Sequence, residues 1–254
     1  MLQRGGHYIV SNLVSERIRR IFLTMLIEVK DLYKKYNENE QILNGINLFI
    51  KENTFVTIVG PSGSGKSTLL NIISGLQKPS KGTVSIDGEN IVNFSKNQMA
   101  DLRASKIGHV FQEYNLMQNL TAKENIFMGK TSKDSLELSE LVNIMSIEHL
   151  LDKYPYEMSG GEQQRVAIAR ALIKKPKILF CDEATGALDE KNSKNVVALL
   201  LDIKKRFGMT IVFITHNLEI SKVSERVITM KNGLIYKDCI NSNPIRAEDM
   251  NWSQ

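Results

Sequence analysis

Cysteine is nearly absent: only Cys181, inside an apolar run, and Cys239, near the C-terminus, occur among 254 residues. Neither belongs to a Cys-x-x-Cys pair or has a histidine beside it, so the chain has no disulfide or zinc framework and fits a reducing compartment. Long hydrophobic runs are missing too. No segment approaches the roughly twenty apolar residues needed to span a bilayer, so any membrane role must come through a partner. There is no internal repeat, no heptad array and no low-complexity tract. The net charge of +5 comes with no nucleic-acid motif. Its basic runs, Lys174-Lys175-Pro176-Lys177 and Lys204-Lys205-Arg206, fall where helices are expected to end, and the helix dipole accounts for them. No nucleic-acid partner is inferred.

The first 24 residues stand apart. Arg17, Arg19 and Arg20 precede a short apolar run, Ile21 to Ile27, that superficially resembles a secretory signal. The run is minimal, lacks a small-residue cleavage site and leads directly into Glu28 and Lys30, so a signal peptide is rejected. Residues 1–24 are expected either to be a loosely held extension or to lie upstream of the real start codon, with Met25 opening a first strand.

A hydrophobic content of 42% over this length allows one compact domain with a lobe attached. Short strands with turn signals come first, including the alternating Gly82-Thr83-Val84-Ser85-Ile86-Asp87-Gly88, which suits an antiparallel pair. Residues from about 115 to 170 lean helical, and Leu136, Leu138, Leu141, Val142, Ile144 and Met145 form an apolar stripe read as core packing. Two continuous apolar runs, Ile178 to Cys181 and Ile211 to Ile214, belong to strands covered on both faces, as in a parallel sheet. Asn232-Gly233 reads as a two-residue hairpin turn. The polar tail from about Asn241 is expected to be loosely ordered.

The most informative segment is Gly60-Pro61-Ser62-Gly63-Ser64-Gly65-Lys66-Ser67, set between the apolar strand Phe55–Val59 and a helix beginning Thr68-Leu69-Leu70. Its glycines let backbone N–H groups converge on phosphates, the helix N-terminus adds a favourable dipole, and Lys66 brings positive charge to the β- and γ-phosphates. Ser67 is placed to bind Mg²⁺. A nucleoside triphosphate ligand follows. Asp182 and Glu183 end the strand 178–181, on the sheet edge where ligands gather. Asp182 can hold Mg²⁺ while Glu183 polarises water.

Ser159-Gly160-Gly161-Glu162-Gln163, followed by Gln164-Arg165-Val166-Ala167-Ile168-Ala169-Arg170, resembles the signature motif and helix of the ATP-binding cassette (ABC) ATPases. Further marks fall in the family's order: Tyr36 as the adenine-stacking aromatic, Gln112 in Val110-Phe111-Gln112, Gly186-Ala187-Leu188-Asp189 as the D-loop, and His216 in Thr215-His216-Asn217. The likeness covers roughly residues 26 to 238. It implies an α/β fold: a P-loop NTPase core with a mostly parallel sheet, an antiparallel β subdomain and a helical subdomain at about 115–170. The cassette would run from 25 to 240, with a polar tail at 241–254.

For the site, the resemblance implies that ATP is bound by Tyr36, residues 60–68, Ser159 to Glu162 and Asp189. Mg²⁺ would lie near Ser67, Gln112 and Asp182, and Lys66, Gln112, Glu183 and His216 would serve hydrolysis. In the family, Ser159 and the glycines after it face ATP held by a second cassette, so two domains, expected to be identical, meet head to tail. Several details resemble the bacterial branch that serves lipoprotein release, macrolide export and antimicrobial-peptide transport: Gly186 to Asp189, Glu162-Gln163-Gln164-Arg165, and Phe111 to Leu116. Ala184 departs from the family, standing where proline is usual. The expected role is an ATPase that powers a separate membrane permease, held in the cytoplasm at the inner face of the membrane. The alternative is a cell-division-type cassette that signals without transport.

Overall fold

A computed structural model of the protein describes residues 25–37, 40–131 and 135–251. The proposed extension, 1–24, lies outside the described residues. Two sheets organise the rest. The first is antiparallel, in the order β2-β1-β4-β5, from β1 (Met25–Asn37), β2 (Glu40–Lys51), β4 (Lys81–Ile86) and β5 (Glu89–Asn90). Asp87 and Gly88 form the tight turn between β4 and β5, both at positive φ (54° and 80°).

The second sheet has six strands in the order β10-β9-β3-β8-β7-β6. It comprises β3 (Phe55–Val59), β6 (Ile107–Val110), β7 (Ile178–Asp182), β8 (Thr210–Ile214), β9 (Arg226–Lys231) and β10 (Leu234–Ile240). All neighbours are parallel except β10, which turns back on β9 at Asn232-Gly233 (φ 50° and 73°). That pair of positive φ values is what the Asn-Gly dipeptide permits cheaply.

The two continuous apolar runs are explained by the side chains' period of two. Leu179, Cys181, Ile211 and Phe213 enter one core, while Ile178, Phe180, Val212 and Ile214 enter the other. The second core also takes β1, β2, α1 (Lys66–Ile73) and Leu102 of α2 (Lys96–Ser105). The first core takes α3 (Ala122–Phe127), α4 (Leu138–Met145), α5 (Gly160–Leu172) and α6 (Glu190–Phe207). A sheet sandwiched in this way leaves only its strand ends open to ligands.

Among the described residues the helical lobe holds the α-helices α3, α4 and α5, with short 3₁₀ helices at Glu148–Leu150 and Pro155–Glu157 between the last two. Leu141, Val142 and Met145 are buried on α4, and Leu136 is buried just before it. Thr121 and Glu124 form a reciprocal capping box at the start of α3, and Ser95 with Gln98 does the same for α2.

Two expectations need correction. The tail beyond β10 is polar in composition, yet Ala247 and Met250 are buried in the first core, and Ile245 N–H donates to the Lys222 carbonyl at 3.1 Å. A few well-spaced apolar side chains anchor a segment whose average polarity suggested otherwise. Lys174 also serves a helix other than the one it follows. Its Nζ donates to the Arg103 carbonyl at the end of α2 (2.8 Å), and burial, with Arg103 nearby, lowers its pKa to about 8.

His109, on β6, is stacked between Phe111 and Phe180, each ring centroid 5.6 Å away. Burial, with Lys174 and Arg103 adding repulsion, lowers its pKa to about 4. Between pH 6.5 and 4 the unfolded chain takes up a proton that the folded chain refuses. This residue's contribution to stability is therefore complete above about pH 6.5 and is lost as pH falls towards 4. Urea unfolding should show the wild type losing about 2 kcal/mol more than His109→Phe between pH 7 and pH 5. Equal pH slopes for the two proteins would rule this out.

Candidate functional site

The phosphate loop leaves β3 at Val59 and delivers the chain to α1. Gly63 and Gly65 hold φ of 76° and 96°, and a side chain at Gly65 would meet Leu43 Cδ2 at 2.9 Å. Glycine is required there both by the backbone and by the close approach of β2. Lys66 is buried, and its Nζ donates to the carbonyls of Gly60 (2.9 Å) and Pro61 (3.0 Å). Its ammonium therefore sits inside the loop rather than in solvent.

Residues 62–68 line a cavity of about 410 Å³ together with Ile42, Glu183 and His216. Beside it lies a cavity of about 340 Å³ lined by Ser67, Phe111, Gln112, Glu113, Asn115, Asp182 and Glu183. Ser67 and Glu183 belong to both, so together they form one cleft at the carboxyl ends of β3, β6, β7 and β8. A cleft of this size suits a small-molecule ligand. A larger cavity, about 560 Å³, lies between α1 and α2 and has no carboxylate in its lining.

Ser67 Oγ donates to Asp182 Oδ1 at 3.2 Å, joining the loop to β7. Burial raises the Asp182 pKa and Glu183 raises it further, against the lowering effects of Ser67 and Lys66. Two adjacent carboxylates in a half-buried setting leave negative charge that a divalent cation would relieve. Among the described residues no group of three or more His, Cys, Asp or Glu side chains forms a metal cage. The hydroxyl of Ser67 and the carboxylate of Asp182 instead match the few protein oxygens that Mg²⁺ takes when phosphates complete its shell.

Glu183 Oε2 lies 3.3 Å from His216 Nδ1, and the imidazole is largely exposed at the end of β8. Glu183 itself holds φ 49° while its N–H stays on the Ile214 carbonyl at 3.0 Å. Ala184, unlike a proline, leaves the preceding residue free of the restriction to extended backbone. Gln112 approaches from β6, with its Nε2 3.3 Å from where a Cβ on Gly186 would stand.

Tyr36, Ser159 to Glu162 and Asp189 do not line this cleft. The Tyr36 hydroxyl donates to Gln77 Oε1 at 3.1 Å, and Lys34 Nζ lies 5.2 Å from its ring centroid. Ser159 caps α5: its Oγ accepts from Glu162 N–H (3.4 Å) and donates to Glu162 Oε2 (2.7 Å). That hydroxyl and the Ser159 N–H hold the Glu162 pKa low. Asp189 caps α6, accepting from the Asn192 backbone N–H at 2.8 Å. Asn192 in turn packs against Gly161, so the start of α5 rests on the start of α6.

Sequence reasoning missed two things here. One is Ile42, which gives no motif signal because its place in the cleft depends on β2 packing against the loop. The other is the capping box Ser159-x-x-Glu162, which was legible as a helix start.

A phosphate loop, a Ser67–Asp182 pair and a Glu183–His216 pair on one parallel-sheet edge define a P-loop nucleoside triphosphatase. The ABC transporter family model matches residues 43–186. This chain belongs to that family.

The MG065 homolog of Mycoplasma pneumoniae, named as an ABC transporter ATP-binding protein, is 41% identical over 234 residues, 89% of this chain and 50% of that protein. This chain thus spans about half the length of that relative. The bacitracin export ATP-binding protein BceA of Halalkalibacterium halodurans is 36% identical over 220 residues, 83% of this chain and 87% of that protein. The cassette MJ0796 of Methanocaldococcus jannaschii is 40% identical over 228 residues, 84% of this chain and 96% of that protein. Its dimeric structure bound to ADP and Pi superposes with a TM-score of 0.78 at 36% identity, covering 85% of this chain and 98% of that one. Among the described residues no helix is long and apolar enough to cross a membrane.

Proposed function

We propose that this chain is the ATP-hydrolysing half of a head-to-tail pair that drives a separate membrane permease of the export or antibiotic-resistance type. The observation that carries the pairing is the position of Ser159 to Glu162, which lie off the cleft of their own phosphate loop. A serine hydroxyl and the N-terminus of a 13-residue helix suit a γ-phosphate, so they complete the site of a second copy.

Within each cleft, Lys66 and the loop N–H groups hold the β- and γ-phosphates, and Glu183 orients the attacking water with His216 beside it. Tyr36 offers a ring for the adenine, and Asp189 sets the start of α6 at the pair's interface. Ser67 and Asp182, with Gln112 near them, would hold Mg²⁺, which would supply charge neutralisation at the phosphates. ATP favours the closed pair because it touches both chains, and loss of phosphate removes that preference. The export name of the relative BceA favours transport over transmembrane signalling. The chain then works at the inner face of the membrane, held by its permease.

The test is Ser159→Arg. ATP affinity by calorimetric titration should stay within about twofold, while phosphate release falls by about 100-fold or more, the scale of losing an oriented anion donor. Full turnover by this variant would rule out the paired arrangement.

A further inference from the structure

The loop after β6 contains two consecutive non-glycine residues in the left-handed region, Tyr114 (φ 58°) and Asn115 (φ 49°). Asparagine tolerates that conformation, whereas tyrosine seldom adopts it. The turn's own bonds are few: Tyr114 N–H donates to the Phe111 carbonyl (3.3 Å) and Asn115 N–H to the Glu113 carbonyl (2.5 Å). Something outside the turn has to hold it. Arg170, near the C-terminal end of α5, does so with a two-pronged grip: Nη2 donates to the Tyr114 carbonyl (2.7 Å) and Nη1 to the Asn115 carbonyl (2.5 Å). No salt bridge to Arg170 is present among the described residues, so this partly buried guanidinium is committed to those two carbonyls.

The turn occupies a junction. Gln112, two residues before Tyr114, lines the cleft with Asp182 and Glu183, and Asn115 lines the same wall. The Tyr114 hydroxyl lies 2.7 Å from where a Cβ on Gly160 would stand, so the ring covers the start of α5. Arg170 at one end of α5 and the Tyr114 ring at the other therefore tie the helix to the segment carrying Gln112. We propose that Arg170 is a positioning residue for ATP hydrolysis: its guanidinium holds the Tyr114–Asn115 turn closed, so that Gln112 and the Ser159–Gly160 end of α5 move as one body. This rests on the reading of the cleft as the hydrolytic site.

Arg170→Lys tests the idea, because lysine keeps the charge but lacks the planar fork that spans two carbonyls. With the full chain, kcat should fall about tenfold, the scale of releasing a strained turn. KM and ATP affinity should change less than about twofold, since the phosphate loop is untouched. Hydrogen exchange at the Tyr114 and Asn115 amides, measured without nucleotide, should speed up. Adding Asn115→Gly, which adopts the left-handed region freely, should restore most of the kcat and the protection.

Wild-type kcat and unchanged exchange in Arg170→Lys would overturn the proposal. So would a loss of kcat accompanied by a lower melting temperature and not relieved by Asn115→Gly, which would make Arg170 a packing residue. If the wild type itself showed no turnover, the hydrolytic reading would fall, while the exchange data would still decide whether the grip exists.

Discussion

Lys66→Ala is expected to weaken ATP binding by about 10- to 100-fold, the value of one or two charge-assisted hydrogen bonds at about 1.5–3 kcal/mol. The ammonium is buried in the loop, on the Gly60 and Pro61 carbonyls, so its loss removes the cleft's nearest cation and leaves those two carbonyls without their donor. Folding should survive, because α1 keeps Leu69, Leu70, Ile72 and Ile73 in the core. Titration calorimetry against ATP, with circular dichroism as the folding control, measures both. An unchanged dissociation constant would mean that the triphosphate sits elsewhere.

Glu183→Gln should separate binding from turnover. The amide keeps the size of the carboxylate and its place near His216, 3.3 Å away in the wild type, but it no longer acts as a base towards water. Phosphate release should drop by about 10²- to 10⁴-fold, the usual worth of a general base. ATP affinity should persist, since the loop and Lys66 are intact. With hydrolysis blocked, ATP and Mg²⁺ should convert the protein to a stable dimer on size-exclusion chromatography with light scattering. A variant that stays monomeric at saturating ATP would contradict the proposed pairing; one that turns over normally would displace Glu183 from the centre.

The two variants probe different parts of the cleft, one the phosphate cradle and one the water. Their clearest joint signature is that the Lys66 change on a Glu183→Gln background abolishes the ATP-dependent dimer. The residues are close enough to couple, so the double variant should not simply add the two effects.

Much of this site was legible from residue order. Gly60 to Ser67 announced a phosphate loop because a strand, a glycine-rich turn and a helix occupy consecutive positions, and all three formed as expected. Asp182 and Glu183 were identified because they end a continuous apolar strand, and a parallel sheet places such ends together. Local chemistry was enough in each case. It failed where distant segments decide the outcome. Ile42 enters the cleft only because β2 packs on Gly65. The tail's anchoring through Met250 depends on a core built by elements far away in the chain.

The sequence by itself determined the phosphate loop, the alternation of strands and helices, the carboxylate pair and the family, because each is encoded in neighbouring residues whose spacing sets their geometry. Only the tertiary structure decided that Ser67 meets Asp182, that Glu183 meets His216, and that Ser159 lies outside the lining of its own cleft. It likewise decided that Arg170 grips the turn behind Gln112. Those contacts join residues separated by tens of positions or more, and the packing of both cores against the six-stranded sheet, which no local signal records, brings them together.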